Sequence, residues 1–251
     1  MIKKLLYFSL ILGLFSCKKE ASFADSIILD HEKNEKLTYQ KFNEGIGETE
    51  TGLIYIGKDP SNVKVKYYSS MIPAPPPPPG TEVENNPIHN TAYFHGDFER
   101  MKFSKTSVNF DSLSENNVKI VIKPNDTIPK YAYNSETGTL KKYKAFPVFI
   151  KNISNRKLIL PDLKNLPLAI LDDKQKWQMI WNDNALICGT GWGMHYWEFE
   201  PNEIMIFSVN YLTGNDRGKF KVTLFDSSSE SFMMNYDKNI LKEQRRYGEV
   251  K

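Results

Sequence analysis

The sequence has little of what several classes of protein depend on. It has two cysteines, Cys17 and Cys188, and four histidines, so neither a disulfide scaffold nor a zinc cluster is expected. A net charge of +3 over 251 residues does not provide the basic surface that binds nucleic acid. We therefore expect no metal, no other cofactor and no nucleic-acid partner. The remaining composition, 40% hydrophobic and 25% charged, is that of a globular body.

The sequence also lacks a hydrophobic run long enough to cross a bilayer. The longest apolar stretch, residues 5–15, is well short of the roughly 20 residues that a membrane-spanning helix needs. Two lysines precede it, and Ser16 and Cys17 follow it, which is the order of parts in a signal peptide. The residues Leu-Phe-Ser-Cys at 14–17 resemble the lipobox of bacterial lipoproteins. This resemblance implies that residues 1–16 are removed and that the lipidated Cys17 attaches the protein to a membrane.

Lipidation of Cys17 implies a location in the cell envelope. Cleavage before Cys17 leaves 235 of the 251 residues, and the removal of Lys3 and Lys4 lowers the net charge to +1. Because residue 18 is Lys rather than Asp, the sequence resembles lipoproteins that proceed to the outer membrane. Whether the body faces the periplasm or the cell surface is left open. Cys188 is then the one unmodified thiol, so no internal disulfide is expected even in an oxidising compartment.

The mature chain is predicted to begin with two parts that precede the main domain. Residues 17–50 are polar and charged, and we interpret them as a tether. Residues 51–90 contain strand-like runs at 53–56 and 63–68, which we expect to pair as a β-hairpin, followed by a Pro-rich linker. The consecutive prolines at 75–79 lack amide donors, so they are expected to form a polyproline II spacer. A partner with an aromatic groove would be the alternative use of this segment.

Residues 91–251 are predicted to form an antiparallel β-sandwich of the immunoglobulin-like kind. Short alternating apolar and polar runs recur between turn-forming residues, and only 239–247 has a comparable helical pattern. Such a pattern is typical of an all-β sandwich. The corner Glu-Pro-Asn-Glu at 200–203, the strand after it and the run 218–224 resemble the last hairpin of immunoglobulin-like bacterial envelope domains. That resemblance implies a fold and no activity. The clearest alternating runs are 118–122, 146–150, 205–211 and 220–224.

All four tryptophans lie between residues 177 and 197. On strands, the aromatic residues of 177–181 share one face and those of 195–199 share another, so we expect the two faces to pack together in the core. The alternative is that Trp192, which lies between two glycines, is exposed on a loop and binds a sugar ring or a partner's side chain. The candidate ligand-binding residues are therefore Trp192, Tyr196 and His195.

Two pairs of residues are considered for catalysis. Cys188 and His195 flank a Gly-rich loop and would be the nucleophile and base of a thiol hydrolase. Glu198 and Glu200 would be the paired carboxylates of a glycosidase. The sequence identifies neither a third orienting residue nor an oxyanion motif for these pairs. We expect a non-catalytic, lipid-anchored envelope protein that acts in binding or assembly, with an envelope protein or a glycan as its partner. A glycan-binding module is the alternative, and a hydrolase ranks third.

Overall fold

The computed structural model describes residues 21–42, 48–50, 52–69, 93–94, 101–134, 137–163, 165–180 and 194–243. Within these ranges the chain is almost entirely β, with mostly antiparallel sheets and one short helix, α1 (Ile240–Glu243). The prediction of an all-β, sandwich-like fold is confirmed. In chain order the strands are β1 (Ile28–Asp30), β2 (Glu48–Glu50), β3 (Leu53–Lys58), β4 (Asn62–Lys64), β5 (Tyr68–Ser69), β6 (Tyr93–Phe94), β7 (Met101–Ser104), β8 (Val118–Ile122), β9 (Ile128–Asn134), β10 (Thr139–Asn152), β11 (Leu158–Pro161), β12 (Leu168–Leu171), β13 (Trp177–Ile180), β14 (Met194–Phe199), β15 (Glu203–Asn210), β16 (Asp216–Leu224), β17 (Ser227–Ser228) and β18 (Phe232–Tyr236).

The first sheet is built around β10, a strand of 14 residues. β10 pairs with β15 through residues 145–151, with β9 through 139–144 and with β8 through 148–152, all antiparallel. β3 extends the sheet beyond β15, and β2 extends it beyond β9. Phe146 and Phe149 lie on opposite faces of β10 and are both fully buried. Other parts of the chain must therefore cover each side of this sheet.

The second and third sheets cover the face of β10 that carries Phe146. The second sheet has the order β13-β12-β16, with β17 and β18 also paired to β16, and the third has the order β11-β14-β7. The Phe146 ring makes an edge contact with Phe232 of β18, with 5.2 Å between ring centroids. From the end of β10, Asn152 Nδ2 donates to the Phe199 carbonyl of β14 at 2.8 Å. The core of the sandwich lies between these layers.

The N-terminal segment (residues 21–42) covers the opposite face of the first sheet. Lys123 Nζ, which lies 5.4 Å from the centre of the Phe149 ring, donates to the Ala24 carbonyl at 2.8 Å, and Ala24 is fully buried. Further along, the Thr38 amide donates to the Lys142 carbonyl at 3.1 Å. The sequence suggested a tether over 17–50, and the described residues 21–42 within it are packed against the first sheet. The apolar residues of this segment are too few and too irregularly spaced to show a periodic pattern.

Two hairpins expected from the sequence do not form. β3 pairs with β15 rather than with β4, and β4 pairs in parallel with β1. β15 belongs to the first sheet and β16 to the second, so these two strands, which residues 211–215 connect, do not pair with each other. Alternation predicts that a strand forms, but many partners satisfy the same alternation, so it does not specify the pairing. The immunoglobulin-like connectivity stays a prediction, and the Pro-rich linker lies outside the described residues.

Candidate functional site

Three residues that the sequence singled out lie outside the described part of the chain. They are Cys17, the predicted lipidation site, Cys188, the nucleophile considered for a thiol hydrolase, and Trp192, the centre of the possible ligand platform. Lipidation therefore stays a prediction, and the thiol hydrolase and the Trp192 platform stay alternatives.

His195 and Tyr196 are adjacent on β14 and therefore point to opposite faces of it. His195 is exposed, and its ring centroid lies 5.2 Å from that of Phe103, its cross-strand partner on β7. Phe103 is itself 53% exposed. Tyr196 is half-buried between its strand partners Lys102 and Pro161. The structure thus joins His195 to Phe103, which the sequence did not single out, and separates it from Tyr196.

The tryptophan-rich region is only partly in the core. Trp197 and Phe199 are buried, as the sequence predicted. The prediction for Trp177 was wrong, because this side chain is 38% exposed and lies under Lys221 Nζ, 4.8 Å from the ring centre. β13 is an edge strand of the second sheet, and Ile180 is its one buried residue. The face that carries Trp177 therefore points outward.

Glu198, one of the two carboxylates considered for glycoside hydrolysis, forms an ion pair with Lys157. Glu198 Oε1 lies 3.1 Å from Lys157 Nζ, and the hydrogen bond to Glu198 raises the pKa of Lys157. Glu198 is half-buried on the face of β14 opposite Trp197, and Glu200, which directly follows the strand, is also half-buried. A partly exposed ion pair of this kind contributes little to stability. Neither Glu198 nor Lys157 lines the pocket that contains Tyr211.

A pocket of about 390 Å³ lies where the N-terminal segment meets the first and second sheets. This volume is within the range of small-molecule sites in proteins. Five parts of the chain line it: the N-terminal segment, the connection after β8, the connection after β15, and the strands β16 and β18. The residues that define its wall and mouth are Tyr39, Pro124, Tyr211, Arg217, Phe232 and Met233.

The inner wall of the pocket is held by the core. The Tyr211 hydroxyl donates to the Pro124 carbonyl at 2.9 Å and lies 3.5 Å from Thr127 Oγ1. Burial raises the pKa of Tyr211, so the phenol stays protonated and remains a donor. Phe232 is 8% exposed and packs against Phe146 of the first sheet. This side of the pocket is therefore fixed before any ligand arrives.

Gly214 sets how closely the connection after β15 approaches β18. Its φ is +144°, and a Cβ built on it would lie 2.1 Å from the carbonyl carbon of Tyr236. A side chain at this position would collide with backbone, which cannot move away as a flexible side chain would. The close approach of residues 211–215 to the end of β18 thus depends on glycine, and this approach forms one edge of the pocket.

The mouth of the pocket combines apolar surface with a positive charge. Tyr39 is 48% exposed and Met233 is 50% exposed. Lys144 Nζ lies 4.7 Å from the centre of the Tyr39 ring. Arg217 is exposed, and its guanidinium makes neither a hydrogen bond nor an ion pair with any residue that the structure describes. The guanidinium is therefore available to an anionic or polar group of a ligand.

No family model, no curated protein and no solved structure matches this chain. The function of the site therefore has to be inferred from its own residues and geometry. Within the described ranges, no group of three His, Cys, Asp or Glu side chains is placed to hold a metal ion. The same ranges contain no helix that is long and apolar enough to cross a membrane.

Sequence reasoning missed the pocket. Tyr39 falls in the expected tether, and Tyr211 is the last residue of the alternating run 205–211. Arg217 had no motif around it. These three residues meet through packing between segments that are far apart in the sequence, so no local pattern identifies them. The one available signal was the turn at 213–216, which follows Tyr211 and contains Gly214.

Proposed function

We propose that this protein is a lipid-anchored, non-catalytic protein of the bacterial cell envelope that binds a ligand in the pocket between Tyr39 and Arg217. Its anchor is Cys17, in the outer membrane. The composition of the pocket carries the proposal: the described residues that line it include no Cys, His, Asp or Glu. His, Glu and Asp are the commonest acid–base groups, and the Tyr211 hydroxyl of this pocket is held in a hydrogen bond to the Pro124 carbonyl. Recognition, in contrast, uses apolar surface with a few placed polar groups.

The anchor is tested by metabolic labelling with palmitate. The protein should carry the label and fractionate with membranes, and Cys17→Ala should lose both properties. Cys188→Ala is the matched control and should retain both, because it removes the other cysteine. Label that remains in Cys17→Ala would contradict the anchor.

The pocket is tested by thermal unfolding with a panel of oligosaccharides, muropeptides and envelope lipids. A compound that binds the folded state raises Tm, and the increase grows with the logarithm of the ligand concentration divided by Kd. We expect at least one compound to stabilise the protein and to lose this effect in Tyr39→Ala and Arg217→Gln. Phe225→Ala is the control, since Phe225 is 52% exposed and does not line the pocket. Equal stabilisation of all variants would exclude the pocket as the binding site.

A glycan-binding module at the other aromatic site is the second candidate function. The exposed pair of Phe103 and His195 favours it, because exposed aromatic rings stack on sugar rings. Trp192, three residues before His195 in the sequence, would be a further member of this site, whereas Tyr196 points to the other face of β14. Tryptophan fluorescence with a glycan panel tests this site. If Phe103→Ala and Trp192→Ala both leave every response unchanged, the sugar platform is wrong.

A further inference from the structure

Lys119 and Lys151 face each other directly across β8 and β10. Neither lysine has an ion pair or a hydrogen bond from its ammonium group to any described residue. Lys123, which directly follows β8, differs, since its Nζ lies 3.6 Å from Asp25 Oδ1. Like charges opposite each other destabilise a sheet. An anion placed against Lys119 and Lys151 would therefore be favourable.

Apolar groups lie beside this pair of lysines. Ile153, two residues beyond Lys151 on the same face, is 45% exposed, and its amide continues the ladder by donating to the Asn117 carbonyl at 2.9 Å. The ring of Phe23 has its centre 5.8 Å from Lys151 Nζ. We call the group formed by Phe23, Lys119, Lys151 and Ile153 the anchor-side patch.

The anchor-side patch is close to Cys17 along the chain. Phe23 follows Cys17 by six residues, and an extended chain spans at most about 3.6 Å per residue, so the two are separated by no more than roughly 22 Å. Phe23 packs against the core, so the body cannot move away from this short connection. If the acyl chains of Cys17 are inserted in a bilayer, the patch is held near its headgroups.

We propose that the anchor-side patch lies against the bilayer that holds Cys17, with anionic lipid phosphates bound to Lys119 and Lys151 and with Ile153 in the headgroup region. This orientation rests on the proposed function, because it requires a lipidated Cys17. Lysines at an anionic membrane surface and apolar side chains in the headgroup region both favour such contact. Lys219, on the outward face of the second sheet, is then turned away from the membrane.

Lysine footprinting of the full lipidated protein tests the orientation. The protein is reconstituted in phosphatidylethanolamine–phosphatidylglycerol vesicles, in phosphatidylcholine vesicles and in detergent micelles, and it is then acetylated and analysed by mass spectrometry. We expect Lys119 and Lys151 to be labelled several-fold more slowly in the anionic vesicles than in the other two, and Lys219 to be labelled equally in all three. Added salt should reverse part of the protection, because it screens the phosphates.

A variant and a mass measurement separate the outcomes. Lys119→Gln should raise the acetylation rate of Lys151 in anionic vesicles towards its rate in micelles. Lys219→Gln should leave Lys151 protected in anionic vesicles. The N-terminal peptide must carry the mass of the acyl chains. If that mass is present and Lys119 and Lys151 are labelled as fast in anionic vesicles as in micelles, the orientation is wrong and the anchor stands. If that mass is absent, the anchor and the orientation are both wrong.

Discussion

Glu35 and Lys142 form the ion pair that fastens the N-terminal segment to the first sheet. Glu35 Oε1 lies 2.6 Å from Lys142 Nζ, and the Glu35 side chain is only 7% exposed. Glu35 Oε2 accepts a hydrogen bond from the Tyr131 hydroxyl at 2.9 Å. Burial, together with the neighbouring Glu35 carboxylate, raises the pKa of Tyr131, so the phenol remains a donor. The carboxylate therefore has two partners on the sheet that it covers.

Glu35→Gln is expected to lower the free energy of unfolding by about 1–3 kcal/mol, because the neutral amide loses two charge-assisted hydrogen bonds. The Coulombic part is modest, since Lys142 is 37% exposed and solvent screens it. Urea unfolding measures the change, and hydrogen exchange should accelerate more in residues 21–42 than in β10. Glu32→Gln is the control, because Glu32 is exposed. Equal effects of the two substitutions would show that the ion pair does not hold the segment.

Alternation in the sequence predicted individual strands well. The runs at 118–122, 146–150 and 205–211 became β8, β10 and β15, because each alternates apolar residues over enough positions to define a buried face. The sequence did not predict that β15 is buried on both faces, with Ile206 as buried as Phe207. The cover for the second face comes from residues 21–42, whose polar composition resembles that of a linker.

The contacts of the candidate sites were harder to predict than the strands. Phe103 and His195 meet because β7 pairs with β14, although the two residues are 92 positions apart in the sequence. Tyr39 reaches the pocket only because the preceding residues pack on the first sheet. Both contacts depend on which strands and segments pair, and pairing is decided by the packing of the whole domain rather than by local sequence.

Gly214→Ala is expected to destabilise the protein by about 3 kcal/mol or more, because the new Cβ would collide with the backbone of β18. Gly138→Ala is the matched control. Gly138 also has a positive φ, of 63°, but no atom lies within 4 Å of the position of its Cβ, so only the conformational penalty of about 1 kcal/mol applies. Thermal or urea unfolding of both variants measures the difference. Similar losses at the two positions would mean that contact with β18 does not constrain residue 214.

Asn152→Ala is expected to cost about 2–4 kcal/mol, because it removes a buried side chain that joins the first and third sheets. Asn152 Nδ2 donates to the carbonyls of Phe199 and Arg156, at 2.8 and 3.0 Å, and its Oδ1 accepts from the Ser154 amide at 2.9 Å. All three partners would lose a bond. Asn155→Ala, at an exposed neighbouring position, should change the free energy of unfolding by less than about 0.5 kcal/mol. A small loss for Asn152→Ala would mean that water replaces these bonds.

Asp111 is expected to make the stability of the protein depend on pH under acidic conditions. Its Oδ1 lies 2.6 Å from Arg156 Nη1, and its Oδ2 accepts the Ile159 amide at 2.7 Å. Partial burial acts to raise the pKa of Asp111, but the hydrogen bonds from the Ile159 amide and Arg156 outweigh it, and the pKa is lowered in the folded protein. The folded state therefore favours the ionised carboxylate more than the unfolded chain does.

The stabilisation from Asp111 should be fully present above the unfolded pKa of about 3.9 and should be lost as the pH falls through the lower, folded value. Asp111→Asn removes the titrating group. Near neutral pH it should reduce the free energy of unfolding by about 1–3 kcal/mol, and as the pH falls through the folded pKa of Asp111 its stability should approach that of the wild type. Urea unfolding across this range measures both. Asp226→Asn, an exposed site on another loop, should follow the wild type throughout. A constant gap between Asp111→Asn and the wild type at every pH would mean that the Asp111 carboxylate is not selectively stabilised in its ionised form.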